Sequence, residues 1–202
     1  MARPVKHDRV KILEAASKLF WERGYRGVSI SDLVKETGML AGSFYSSFGS
    51  KEGIFIECIH RYAAQNAEIY KAAQKAKSPL EQIENLMRNL VAESLKHDDR
   101  RACFIMNSLL ELAPQHPKIS EILRHYLGLS ETWIEQRLDK AKETGELDPK
   151  TNSKDLAACL FGITYSLRLK ARAKESPKRL RHYQKTVFAA LVDPWRIKKV
   201  AQ

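Results

Sequence analysis

The residues best placed for chemistry lie between Ser29 and Phe55, SISDLVKETGMLAGSFYSSFGSKEGIF, and their chemistry is recognition rather than catalysis. Ser29 and Asp32, three apart, predict a capping box that opens a short helix, with Ser31 beside them and Gly38 as the left-handed residue that ends it. A second short helix is expected from about Ala41 to Phe48. Phe44 and Phe48 fall on one face as core, and Ala41, Gly42, Ser43 and Ser46 on the other. A helix with so bare a leading edge can bring its backbone close to base edges in the major groove of duplex DNA. Tyr45 and Lys51 flank that edge as expected phosphate ligands.

Gly38, Gly42, Tyr45, Phe48 and Lys51 follow the pattern G-x-x-x-G-x-x-Y-x-x-F-x-x-K, which resembles the helix-turn-helix signature of the TetR family of one-component repressors. The resemblance implies DNA contacts at Ser29, Ser31, Ala41, Gly42, Ser43, Tyr45, Ser47 and Lys51. Two positions depart from the family. It often carries a small hydroxyl residue where this chain has Leu40, and an aromatic or histidine where it has Ser47. The family also implies an N-terminal arm, here with Arg3 and Lys6, that reaches DNA.

Composition agrees with an anionic partner. The 202 residues carry a net charge of +11, with a pI near 9.6. The excess sits at the ends: nine Lys or Arg stand against five Asp or Glu in residues 1–51, and eleven against two in residues 168–202. The middle is slightly acidic, so a nucleic-acid partner is expected at the ends.

Around these residues the hydrophobic spacing is helical throughout, with no convincing period-two strand. The expected fold class is all-α with about nine helices: a three-helix DNA-binding domain over residues 1–55, and a helical domain for ligand binding and dimerisation over residues 56–202. The longest apolar run, Leu156 to Leu167, is about half of a membrane span, so a cytoplasmic protein that does not enter a membrane is expected. Cys58, Cys103 and Cys159 are too scattered for a disulfide framework or a zinc site. With no G-x-S-x-G, H-E-x-x-H or phosphate-binding glycine loop, the sequence offers no catalytic residues, no metal ligands and no cofactor site.

In the larger domain, Phe104, Asn107, Tyr126, Trp133, Phe161 and Tyr165 supply aromatic surface with a few polar anchors, a fit for a cavity that takes an unknown small-molecule effector. Ala158, Gly162 and Ser166, each four apart, form a stripe of small residues on which a second helix can lie closely. The resemblance implies that this stripe belongs to a homodimer interface, and two copies would read a palindromic operator in double-stranded DNA. Cys103, Asn107 and Glu111 share one face. By resemblance to electrophile-responsive members Cys103 is a candidate redox sensor, its thiolate favoured by Arg100 and Arg101. The expected function is a ligand-responsive homodimeric repressor. The alternative is a dimeric small-molecule carrier or adaptor that keeps the helix-turn-helix only as scaffold.

Overall fold

A computed structural model describes residues 9–96 and 102–197. Among them are nine α-helices: α1 (Arg9–Arg23), α2 (Ile30–Thr37), α3 (Ala41–Phe48), α4 (Lys51–Ala73), α5 (Pro79–Leu95), α6 (Phe104–Leu112), α7 (Pro117–Glu143), α8 (Ser153–Arg172) and α9 (Pro177–Val192). No strand occurs among the described residues. The expected arm residues Arg3 and Lys6 lie outside them.

Local chemistry accounts for several helix ends. Ser29 accepts from the Asp32 N–H at 3.1 Å and Asp32 accepts from the Ser29 N–H at 2.8 Å, so the capping box is complete. Ser78, Asn152 and Ser176 cap α5, α8 and α9 in the same way, accepting from the N–H groups of Glu81, Asp155 and Arg179. Pro79 and Pro177 occupy first-turn positions, where no N–H is needed. Gly38 at φ +67° ends α2.

The chain forms two compact units. The first gathers the described residues up to Gln65 together with Phe104–Arg124; the second holds the described residues between Asn66 and Cys103 and those from His125 on. The division differs from a cut after residue 55, because α6 belongs to the first unit. Phe104 is 2% exposed and its ring lies 5.2 Å from Trp21, 5.6 Å from Phe55 and 5.8 Å from Tyr62, centroid to centroid. Leu13, Ala16, Leu19, Phe20, Leu33, Phe44, Phe48, Ile54, Phe55 and Ile59 complete that interior.

The second unit is built on Leu80, Ile83, Leu86, Met87 and Leu90 of α5 with Ile134, Leu138 and Ala141 of α7, Leu156, Leu160 and Leu167 of α8, and Leu180 and Phe188 of α9. The tail after α9 docks in this unit. The Asp148 N–H donates to the Trp195 carbonyl at 2.8 Å and the Ile197 N–H to the Glu146 carbonyl at 3.1 Å, around an isolated antiparallel bridge between Leu147 and Arg196.

Candidate nucleic-acid interface

The leading edge of α3 is open. Leu40, its N-cap, makes no side-chain capping bond and is 75% exposed. The first-turn N–H groups of a helix have no intrahelical acceptor, so those of Ala41, Gly42 and Ser43 suit an external anion. Ala41 and Gly42 are exposed, Ser43 is half-buried, and Tyr45 stands 53% exposed at the flank. A Cβ placed on Gly42 would meet nothing within 4 Å, and its φ is not left-handed, so folding makes no demand for glycine there.

Other elements hold this edge in place. Phe44 is fully buried and Phe48 is 8% exposed, and their rings pack 5.6 Å apart. Arg9 lies over the Phe48 ring at 4.7 Å and pairs with Glu57, where its Nε donates to Oε2 at 2.9 Å. Its Nη2 also donates to the Ser47 carbonyl at 3.5 Å. Ser29, Ser31 and Ser47 are exposed.

Lys51 is placed differently from the phosphate ligand expected of it. Its ammonium donates to the Tyr25 carbonyl at 3.0 Å and the Val28 carbonyl at 2.9 Å, and it sits 4.2 Å from the centre of the Tyr25 ring. Two of its three protons are therefore spent on the turn between α1 and α2. The same turn is gripped from α6: the Glu111 carboxylate accepts from the N–H groups of Tyr25 at 3.0 Å and Arg26 at 2.8 Å. Arg26 Nη2 returns a bond to the Glu111 carbonyl at 3.1 Å, and also reaches Gln115. Gly24 at φ +73° makes room, since a Cβ there would come within 2.8 Å of Glu111 Oε2. Glu111 is a functional residue that no local motif marks out. Its place on a face with Cys103 and Asn107 was visible, but its partners lie some 85 residues earlier in the chain.

The capping box carries a pH signature. Hydrogen bonds from the Ser29 side chain and then its backbone N–H hold the Asp32 carboxyl below the usual carboxylate range, with Arg23 and Lys35 adding to the effect. A carboxyl with a folded pKa below its unfolded one stabilises fully above the unfolded value, and that contribution is lost as pH falls through the folded one. An acid titration of helical circular dichroism should show Asp32→Asn less pH-sensitive than the parent below the ordinary carboxylate range. Identical acid profiles would remove Asp32 from this role.

The six residues expected to line an effector cavity do not all come together. Phe104 is sealed in the aromatic cluster of the first unit because α6 packs there, while Asn107, one turn further along α6, is exposed. Tyr126 and Trp133 share a face of α7 in the second unit. Phe161 and Tyr165 pair on α8, with ring centroids 4.9 Å apart. Ala158 and Gly162 are exposed and Ser166 half-buried, and the face continues to Cys159 and to Leu169, which is 66% exposed. The face turns away from the subunit core; Ser166 and Tyr183 of α9 lie 3.1 Å apart, oxygen to oxygen.

The cysteines differ sharply in access. Cys58 is fully buried, and burial pushes its thiol up to about 12. Cys103 is 8% exposed, and the Arg100 and Arg101 expected to favour its thiolate lie outside the described residues. Cys159 is exposed. Among the described residues no helix is long and apolar enough to cross a membrane, and no three His, Cys, Asp or Glu side chains group to hold a metal ion.

Comparison with known proteins bears on both parts of the chain. Residues 12–58 match the family described as bacterial regulatory proteins, tetR family, and residues 79–187 match the tetracyclin repressor-like C-terminal domain. The HTH-type transcriptional repressor ComR of Escherichia coli (strain K12) is 30% identical over 183 residues, covering 88% of this chain and 86% of ComR. The HTH-type transcriptional repressor DhaR of Mycobacterium sp. (strain GP1) is 24% identical, covering 91% of this chain and 92% of its own. Among solved structures, a cysteine mutant of the TetR family transcriptional regulator CifR, complexed with 26-bp double-strand operator DNA, superposes with a TM-score of 0.85 at 27% identity. It covers 94% of this chain and 99% of that one.

Proposed function

The chain belongs to the tetR family of bacterial regulatory proteins, which are DNA-binding transcriptional regulators, and from that premise we propose that it acts as a homodimeric repressor released from a palindromic operator by a small molecule. Residues 1–55 would read DNA, and residues 56–202 would bind the effector and the second subunit. The protein would act in the cytoplasm, without catalysing a reaction.

One observation carries this reading: α3 presents an exposed leading edge with an open glycine, backed by a sealed aromatic core. In the dimer, two such edges enter successive major grooves, about 34–36 Å apart. Ala41, Gly42 and Ser43 face base edges, with Ser29, Ser31, Tyr45 and Ser47 toward the phosphates. Lys51 acts chiefly by setting the turn that carries α2, with one proton left for a phosphate. An effector that changes the spacing of the heads weakens binding because both must reach their half-sites at once, and linkage requires the DNA-free form to bind that effector better by the same factor.

Selection of duplexes from a random library by the full-length protein, followed by gel shifts over a salt series, tests the proposal. An inverted repeat with a steep loss of affinity in salt is expected. Ser43 substitutions should change which sequence is preferred, whereas Tyr45→Phe should weaken all sequences alike. Failure to bind any duplex at low salt would leave the helix-turn-helix as a scaffold and favour the adaptor reading.

For the dimer, the stripe Ala158, Gly162 and Ser166 is the proposed contact, continued by Cys159 and Leu169. Iodoacetamide should label Cys159 readily in dilute protein and slowly at concentrations where sedimentation finds a dimer, while Cys58 stays unlabelled until the protein unfolds. Labelling of Cys159 that ignores concentration across the monomer–dimer transition would move the interface elsewhere.

A further inference from the structure

The second unit contains donors without acceptors. Trp133 Nε1 and Arg137 Nε, four residues apart on one face of α7, are both buried and make no hydrogen bond. Folded interiors leave few such groups, because a buried donor that loses its water and gains no acceptor is destabilising. Here two lie within one turn, and the Arg137 guanidinium sits 5.2 Å from the centre of the Trp133 ring.

The surroundings supply further donors and little acid. Arg137 Nη1 donates to Gln82 Oε1 at 3.3 Å, and the Gln82 amide is itself fixed by the carbonyls of Gln74 and Ala76 at 3.2 Å each. No carboxylate among the described residues pairs with Arg137. The Tyr70 ring meets that of Trp133 edge to face, with centroids 5.3 Å apart. Burial raises the Tyr70 phenol above its usual range, so it stays a neutral donor. Arg168, 8% exposed, brings a second guanidinium toward this part of α4 and donates to Asn66 Oδ1 at 3.4 Å. The positions of α4 and α7 that carry these groups, 66, 69, 70, 73, 126, 130, 133 and 137, include no Asp or Glu.

We propose that the effector is a small organic carboxylate with a flat apolar body, an aryl carboxylic acid being the simplest form, bound against Arg137 and Trp133. Its two oxygens take up the Nε edge of Arg137 and the Trp133 N–H. A guanidinium edge matches a carboxylate in two parallel bonds, and Nη1 is already turned to Gln82. The apolar body lies along the Tyr70–Trp133 ring pair. The inference rests on the helical domain being the effector-binding part.

The test is calorimetric titration of the full-length protein with benzoate, phenylacetate and cinnamate, each beside its neutral amide, with operator binding measured in parallel. At least one acid should bind and release operator, its amide binding about tenfold more weakly or worse. Arg137→Gln and Trp133→Phe should each lower acid affinity about tenfold, as the loss of one or two charge-assisted bonds requires, and leave ligand-free operator affinity unchanged. Trp133→Phe keeps the ring and removes only the donor, so it stays informative if Arg137→Gln unfolds. Amides that bind as well as acids, variants that bind acid like the parent, or a panel with no binder at millimolar concentration would each overturn the proposal. If the ligand-free protein binds no operator, the regulator reading fails instead.

Discussion

Gly42→Leu should leave the protein as stable as before or slightly more so, and cost at least about a hundredfold in operator affinity, some 2.7 kcal/mol. The two effects have opposite signs for separate reasons. In the free protein a side chain at 42 points into open space, and a glycine in a helix is worth about 0.5–1 kcal/mol less than a residue with a Cβ. In the complex, the same side chain stands between the α3 backbone and the groove, once per subunit. Thermal melts beside gel shifts on the selected operator separate the terms. A variant that is stable and still binds at parental affinity would show that α3 does not approach DNA by its leading edge.

The second large effect is expected at the turn between α1 and α2. Glu111→Gln keeps the size of the side chain, but its amide can accept from only one of the Tyr25 and Arg26 N–H groups and presents a donor to the other. That mismatch should cost about 1–3 kcal/mol. Lys51→Met removes the hold on the two carbonyls of the same turn. Both variants should melt lower by several degrees, at about 2–4 °C per kcal/mol for a chain of this size, and bind operator about tenfold or more weakly. The discriminating measurement is the salt slope. Removing a phosphate contact lowers it by about one per site, whereas loosening a turn lowers affinity at every salt concentration alike. An unchanged melting temperature for Lys51→Met with a shallower slope would return Lys51 to the phosphate backbone.

How far the sequence revealed this molecule depended on distance along the chain. The capping box of Ser29 and Asp32, the stop at Gly38 and the facing of Phe44 and Phe48 are settled within one turn of helix, and each stands where local chemistry puts it. The all-α class and the nine helices among the described residues follow from the same short-range periodicity. Lys51 looked like a phosphate ligand because its spacing from Tyr45 is local, while the carbonyls that take up its protons lie 23 and 26 residues back. Residue type alone suggests a cavity role for Phe104 and Asn107. Their actual surroundings depend on where α6 packs, which its own nine residues do not encode. Nothing in the local spacing distinguishes Arg137 from its charged neighbours on α7; only the burial of its Nε does.

The clasp between the last described residues and the turn after α7 bears on how the protein is handled. Trp195 and Ile197 supply a carbonyl and an N–H to Asp148 and Glu146, so a truncation before Trp195 strips two main-chain partners from that bend. Sequence fused directly after Ile197 would pull on the same two main-chain bonds. A spacer of flexible glycine and serine there would keep the added sequence from prying the strap loose.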